Sequence, residues 1–165
     1  MDNRFFEYQG EIYPTYLKQG HAADHIIPIA KHFCKGNGLD IGGQTACHFP
    51  DAQIINIDPP SIYHANKLPP GEYDYIFSSH TLEHIENYVD ALICWREHLH
   101  KNGTLFLYLP HPDMVYWRPE YCKKHFHVLT PYGIKGTLEA LEFENILCSQ
   151  RDLYWSFAVV ATKKG

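Results

Sequence analysis

Histidine is the residue type this chain carries in excess, 12 among 165 residues. Its side chain gains and loses a proton near neutral pH, because the unperturbed pKa lies close to ~6.5. Two groups have spacings that could do chemistry. His80 and His84 are four apart and share one face if a helix begins by Thr81. Either could act as a general base, or His84 could simply bond a neighbouring backbone group and order its loop. His111 with Asp113, and the pair His125-Phe126-His127, form the second group, since His-x-His sets two imidazoles on one side of an extended segment. That set could hold a divalent metal that orients substrate hydroxyls, or wall a cleft. The cleft reading takes the larger share, and no residue is assigned as a metal ligand.

A pair of carboxylates defines a different chemistry. In Gly38-Leu39-Asp40-Ile41-Gly42-Gly43, an apolar strand ends in an acid and two glycines, which let the backbone turn and approach a ligand without a Cβ in the way. A second strand, Ile54-Ile55-Asn56-Ile57, ends at Asp58, where a carboxylate can accept both hydroxyls of a ribose. Two adjacent parallel strands with an acid at each carboxyl end are what an adenosine-containing cofactor needs.

The elements that must position these groups follow from pattern. Phe5 to Gly20 has no sustained period and reads as an irregular arm or short helix; Asp24 can cap a helix through about Phe33, ended by Gly36-Asn37-Gly38. Thr45 to Asp51 is a very short connection. Pro59 to Gly71 leaves room for a rudimentary strand around Tyr63 to Ala65 but for no crossover helix. Tyr73 to Ser78 is a strong strand. Leu82, Ile85, Val89, Leu92, Ile93 and Leu99 recur at helical spacing up to Asn102-Gly103, and Thr104 to Leu109 is a continuous apolar strand stopped by Pro110. Pro131 opens another helix, and strands at about Glu144 to Cys148 and Ser156 to Thr162 close the chain as a hairpin. The alternation predicts a compact α/β domain over residues 1–165, with arm and helix in 1–35 and sheet core in 36–165. It is a partly reduced, Rossmann-like, doubly wound, mostly parallel sheet with a C-terminal antiparallel hairpin. Ligands bind such sheets at the carboxyl ends of the strands, which adds Ser78 and Ser79 to the candidate cofactor residues, and His111 beside Pro110 to the reactive ones.

Composition narrows the partners. With 14 Lys+Arg against 19 Asp+Glu the formal charge is -5, a poor match to a phosphate backbone, so nucleic acid is not the expected substrate. No apolar run approaches the roughly 20 residues of a membrane helix. The 5 cysteines are scattered without a C-x-x-C pair, which with the absence of a signal-like N-terminus predicts reduced, mostly buried thiols in a cytoplasmic protein. The missing helix after Asp58 predicts a thinly covered sheet face, hidden by a second copy of the chain or left in a marginally stable monomer. Glu83, Glu86, Asp90 and Glu97 read as the solvated side of a helix. Tyr8, Tyr13 and Tyr16 in the arm, and Tyr116, Trp117 and Tyr121 after Pro110, are two aromatic clusters outside the sheet pattern; either could cover the cofactor, stack on a sugar or ring substrate, or pack against the sheet edge.

Taken in order, Asp40-Ile41-Gly42-Gly43, Asp58, His64-Ala65-Asn66-Lys67-Leu68-Pro69, Tyr73-Asp74-Tyr75-Ile76, Leu82-Glu83-His84-Ile85 and Lys101-Asn102-Gly103-Thr104-Leu105 resemble the landmarks of class I S-adenosylmethionine-dependent methyltransferases. The likeness covers roughly Gly38 to Lys163 and is greatest to small methyltransferase domains of glycan and small-metabolite enzymes. It implies that Asp40 and the glycine turn hold the methionine half of the cofactor, with Gln44 beside them. It also implies that Asp58 binds the ribose and that His64 and Ala65 lie along the adenine. The chain departs from the family's D-x-G-x-G-x-G, with Gln44 and Ala46 at the second and third glycine positions. A pyrophosphate would be crowded there, whereas S-adenosylmethionine has no phosphate. The expected acceptor is an oxygen or nitrogen of a small molecule or saccharide. The alternatives are a partner subunit with this fold but no methyl transfer, and a His-based metal hydrolase. The Asp58-Pro59-Pro60 run is similar to the motif of amino-group methyltransferases acting on nucleic acid, but it follows the wrong strand.

Overall fold

The computed structural model describes residues 4–18, 22–43 and 48–165. Gln44 and Ala46 lie outside the described residues. The chain begins with a hairpin, β1 (Phe5–Tyr8) against β2 (Glu11–Pro14), followed by a 3-10 turn, Thr15–Lys18, and helix α1, Ala23–Phe33. Strands β3 (Gly38–Ile41), β4 (Ala52–Ile55) and β5 (Tyr73–Ser79) then alternate with loops and helices through α2 (Tyr88–Glu97) and β6 (Leu99–Pro110). Helix α3 (Pro131–Ala140) leads into the closing hairpin, β7 (Phe143–Cys148) and β8 (Ser156–Lys163). The sheet runs β4-β3-β5-β6-β8-β7, parallel across its first four strands and antiparallel at β8 and β7. The expected doubly wound sheet and terminal hairpin are therefore both present.

Period-2 alternation assigns the two faces. Tyr75 and Phe77 of β5 and Phe106 and Tyr108 of β6 are buried under Ile26, Ile27 and Ala30 of α1. Leu39, Ile41, Ile76, Leu105 and Leu107 point the other way, against Leu92 and Trp95 of α2 and Ile134 and Leu138 of α3. Thr130 caps α3 by accepting the Gly133 N–H at 3.0 Å, with Pro131 at the first helical position.

Four sequence expectations change. The N-terminal arm is a hairpin, because its aromatic residues find a partner: Tyr13 is fully buried against Trp155, ring centroids 4.8 Å apart. Helix α1 has Ala22 rather than Asp24 at its cap position, and Asp24 sits in the first turn, where its carboxylate lies 3.6 Å from His48 Nε2. The long helix expected from Leu82 to Leu99 is broken into a 3-10 turn, Leu82–His84, and α2, while Leu99 opens β6. The backbone carbonyl of Glu83 accepts the Phe126 N–H at 2.8 Å, a bond that takes it out of any helical ladder. Among the described cysteines only Cys34 is buried, its thiol pushed up to about 12 by desolvation; Cys94, Cys122 and Cys148 are partly exposed, and all four are unpaired.

The stretch between β4 and β5 has no crossover helix, as expected, and the strand foreseen at Tyr63 to Ala65 is reduced to a single parallel bridge, Asn56 to His64. The sheet face beside it is nevertheless filled. Ala65 and Leu68 tuck into the core, and the indole N–H of Trp95 donates to the Ala65 carbonyl at 2.7 Å. Leu39, Ile41 and Ile55 are at most 2% exposed as a result. The loop does the covering, so the reason for expecting a second copy there falls away. Among the described residues no helix is long and apolar enough to cross a membrane.

Trp95→Phe strands the buried Ala65 carbonyl and leaves a small void. Urea denaturation should show a loss of about 2 kcal/mol, and limited proteolysis should cut first between residues 56 and 71. A loss below about 0.5 kcal/mol would mean that the indole is not what anchors this loop.

Candidate active site

The parallel register brings three strand ends to one edge: Ile41 lies opposite Ile55 on β4 and Ser78 on β5. Asp40 is 2% exposed one residue before the β3 terminus, where burial pushes its carboxyl up and the His48 ring, Nδ1 3.2 Å away, pulls it back. Gly42 turns with φ of 90°, a left-handed value that glycine adopts freely. A Cβ at Gly42 would run into Thr81, whose hydroxyl donates to the carbonyls of Ile41 at 3.3 Å and Ser79 at 3.0 Å. The glycine is thus required by the close approach of two protein segments, in addition to any ligand. A Cβ at Gly43 would crowd the Asp40 carboxylate at 3.1–3.2 Å.

Asp58 is exposed, three residues beyond β4. His64 is half-buried in a tight turn, its N–H donating to the Lys67 carbonyl at 3.0 Å, and Ala65 beside it is the residue fixed by Trp95. At the end of β5 the hydroxyls of Ser78 and Ser79 are buried without a hydrogen-bond partner. Gln44 lies outside the described residues. Two carboxylates, two unpartnered hydroxyls and a glycine turn at the carboxyl edge form a donor and acceptor set that fits a zwitterionic amino acid joined to a nucleoside.

Facing this edge is a cluster that the sequence pattern hid. His80 has φ of 47°, and its Nε2 stands 2.9 Å from Ser156 Oγ. Because the Ser156 hydroxyl donates to the Tyr154 carbonyl at 3.2 Å, it accepts from His80 Nε2–H, which leaves the Nδ1 lone pair facing Glu83 Oε1 at 3.7 Å. His84 Nδ1 donates to the Lys124 carbonyl at 2.9 Å, and its Nε2 is 3.9 Å from the same Oε1. His125 bonds the Trp117 backbone through one nitrogen and has Nδ1 buried and unpartnered. Its ring meets that of His84 edge-on, with centroids 4.4 Å apart.

Glu83, expected to be solvated helix surface, is fully buried at the centre of these rings, and neither of its oxygens has a partner from another residue. Desolvation pushes its carboxyl up to about 8, and the same burial pulls His80 down to about 3 and His125 to about 4. His84 is also lowered by burial, with its bond to the Lys124 carbonyl and, less strongly, the Asp58 carboxylate pulling it back up. His80 and His84 therefore meet around Glu83, although no helix places them on a common face.

Two segments are sewn together around this cluster. Lys124 O accepts from His84, Phe126 N–H donates to Glu83 O, and His127 Nε2 lies 3.0 Å from Ile85 O and 2.9 Å from Glu86 O. His127 is spent on backbone and His111 pairs with Asp113 at 3.4 Å, so the group His111, His125, His127 and Asp113 does not converge. His111 instead lines a shallow, open cleft with Met114, Trp117, Arg118 and His127. The two aromatic clusters of the sequence are one: Tyr8 contacts Tyr116 at 5.3 Å and Tyr121 at 5.5 Å, and Trp117 packs edge-on to His80 at 4.7 Å. The side chain of Tyr16 lies outside the described set.

The sequence matches the model of a methyltransferase-domain family over residues 17–147. No protein with a curated description matches it. Among solved structures, it is similar to an S-adenosylmethionine-dependent methyltransferase, possible histamine N-methyltransferase, of Thermotoga maritima, with 13% identity, 90% of this chain and 92% of that chain covered, and a TM-score of 0.69. An S-adenosylmethionine-dependent methyltransferase of Archaeoglobus fulgidus is alike at 14% identity, 85% and 92% coverage and a TM-score of 0.65. A candidate O-methyltransferase of Nostoc punctiforme shows 16% identity, 86% and 56% coverage and a TM-score of 0.65. With the family matched over most of its length and a carboxyl edge suited to the donor, the chain belongs to the methyltransferase-domain family and is an S-adenosylmethionine-dependent methyltransferase.

Proposed function

We propose that the enzyme transfers a methyl group to an oxygen or nitrogen of a small molecule or saccharide. The observation that carries this reading is the gathering of two sets of side chains around the carboxyl ends of the strands. One is the carboxyl edge of Asp40, Asp58, Ser78 and Ser79, and the other is the imidazole and aromatic wall of His80, His84, His111 and Trp117. A shallow, open cleft lined by rings offers faces on which a sugar or heterocycle can stack, and the acidic balance disfavours a nucleic acid. Similar structures include a possible histamine N-methyltransferase and a candidate O-methyltransferase, so both acceptor atoms occur on this fold.

S-adenosylmethionine supplies an electrophilic methyl on a sulfonium, and the protein's task is alignment. In this reading Asp58 accepts from the ribose diol, and His64 and Ala65 flank the adenine. Asp40 faces the amino end of the methionine half, with Gly42 and Gly43 keeping the backbone close. Ser78 and Ser79 offer their unpartnered hydroxyls beside it. His80 and His84 lie on the acceptor side, and His111 with Trp117 walls the cleft. The N-terminal hairpin, packed edge-on against Tyr116, shields that end from water. The unpaired cysteines fit a reducing, cytoplasmic setting. The 165 residues act as one unit, with the arm and α1 in 1–35 laid on the sheet core.

Two substitutions test the cofactor half. Asp58→Ala should abolish S-adenosylmethionine binding by calorimetry with an unchanged circular dichroism spectrum, and retained micromolar affinity would sink the ribose assignment. Asp40→Asn separates binding from stability. Because the folded protein raises the Asp40 pKa, ionisation there opposes folding: the penalty is absent below the ordinary carboxylate range and grows as pH rises through it. The Asn variant should therefore melt no lower than the parent at pH 7, while losing about tenfold or more in cofactor affinity. A melting temperature several degrees lower would make Asp40 a structural residue.

A further inference from the structure

Glu83 and the rings around it are more than a support for the cleft. A fully buried carboxyl with no hydrogen bond from another residue is costly, and such a group in a native protein calls for an explanation, such as a bound ion. Here the surroundings are specific. His84 and His125 each use one ring nitrogen on a backbone group, Lys124 O and the Trp117 backbone respectively. That outer bond selects the tautomer and turns the remaining lone pair inward, the arrangement that prepares an imidazole to be a ligand. Glu83, His84 and His125 present ligand atoms that all lie within 4.8 Å of one another, and this is the convergent group of that kind among the described residues.

We propose that Glu83, His84 and His125 form a binding site for one divalent transition-metal ion, with zinc the best chemical match. Two imidazole nitrogens and one carboxylate oxygen are a borderline-soft, three-ligand set, which suits zinc and leaves a fourth position for water or an acceptor oxygen or nitrogen. Metal–ligand bonds of ~2.0–2.2 Å require the three atoms to close up by about 1 Å. His84 can make that movement, its side chain being a quarter exposed. His80 completes the surroundings. Ser156 holds its ring with Nδ1 3.7 Å from Glu83 Oε1, outside the three ligand atoms. The site differs from the His111, His125, His127 and Asp113 set suggested by spacing alone, and it shares only His125 with it.

The inference does not depend on the acceptor assignment, and its test reads the ion itself. Full-length protein, stripped with a chelator and dialysed, is titrated with zinc chloride by calorimetry and with cobalt chloride by visible absorption. The expected result is one equivalent of zinc per chain, and a cobalt spectrum with the intense d–d bands of a tetrahedral or five-coordinate N/O site. Glu83→Gln, which mimics the uncharged carboxyl in size, and His125→Gln should each weaken zinc by about 100-fold or more. Circular dichroism and melting curves establish that these variants are folded; should one not fold, His84→Ala, at a partly exposed position, carries the same expectation. His100→Ala, which removes the surface pair with Glu72 at 3.3 Å, should leave the stoichiometry at one. The proposal is overturned if folded Glu83→Gln or His84→Ala binds zinc as the parent does. It is equally overturned if the parent fails to saturate at one equivalent, or if His100→Ala abolishes binding. Loss of methyl transfer with zinc binding intact would count against the acceptor reading and leave the metal site standing.

Discussion

The imidazole cluster beyond β5 is organised by one constraint: a carboxyl group with no access to water must be met by other polar groups or remain uncharged. Glu83 is fully buried at the carboxyl edge of the sheet, and the local structure is arranged around that fact. The left-handed backbone of His80 turns one ring towards it, the 3-10 turn at Leu82–His84 brings a second, and the segment carrying His125 brings a third. The hydrogen bonds linking residues 83–86 to residues 124–127 then hold the wall in place. Because those bonds use backbone groups that a continuous helix would have consumed, the helix between β5 and β6 begins late, at Tyr88.

The cofactor side has a different economy. A crossover helix between β4 and β5 would normally cover the sheet and present the adenine-side residues. This chain covers the sheet with a loop instead, and the loop is tied to the core by one buried indole bond, Trp95 to Ala65. A small scaffold thereby keeps its core closed over Leu39, Ile41 and Ile55. Thr81 links the two sides: it bonds the ends of β3 and β5 and lies where a side chain at Gly42 would otherwise be. A change at this joint would disturb the glycine turn and the imidazole wall together.

Much of this was legible from residue order. Asp40 and Asp58 read as strand-end acids because apolar runs before them have the length and β-branched character of buried parallel strands, and the sheet confirms that placement of β3 and β4. The apolar run Leu105 to Leu109 and the closing strands declared themselves in the same way. Glu83 did not. A charged residue between Leu82 and His84, inside a span of helical spacing, has the periodicity of a solvated face. Its burial arises from Phe126 and Lys124, some 40 positions away, bonding to Glu83 and His84. Likewise His125 and His127 look equivalent on an extended segment, and only their different backbone partners separate a free lone pair from a spent one.

By itself, the sequence determined the sheet, the order of its elements and the placement of two acids near strand ends, because hydrophobic period and turn chemistry act over a few residues and survive without tertiary information. Only the tertiary structure decided what lies opposite. The merging of the two aromatic clusters, the fate of each histidine and the burial of Glu83 depend on which distant segments become neighbours. Desolvation and hydrogen-bond pairing are properties of that neighbourhood, not of the residue types that enter it.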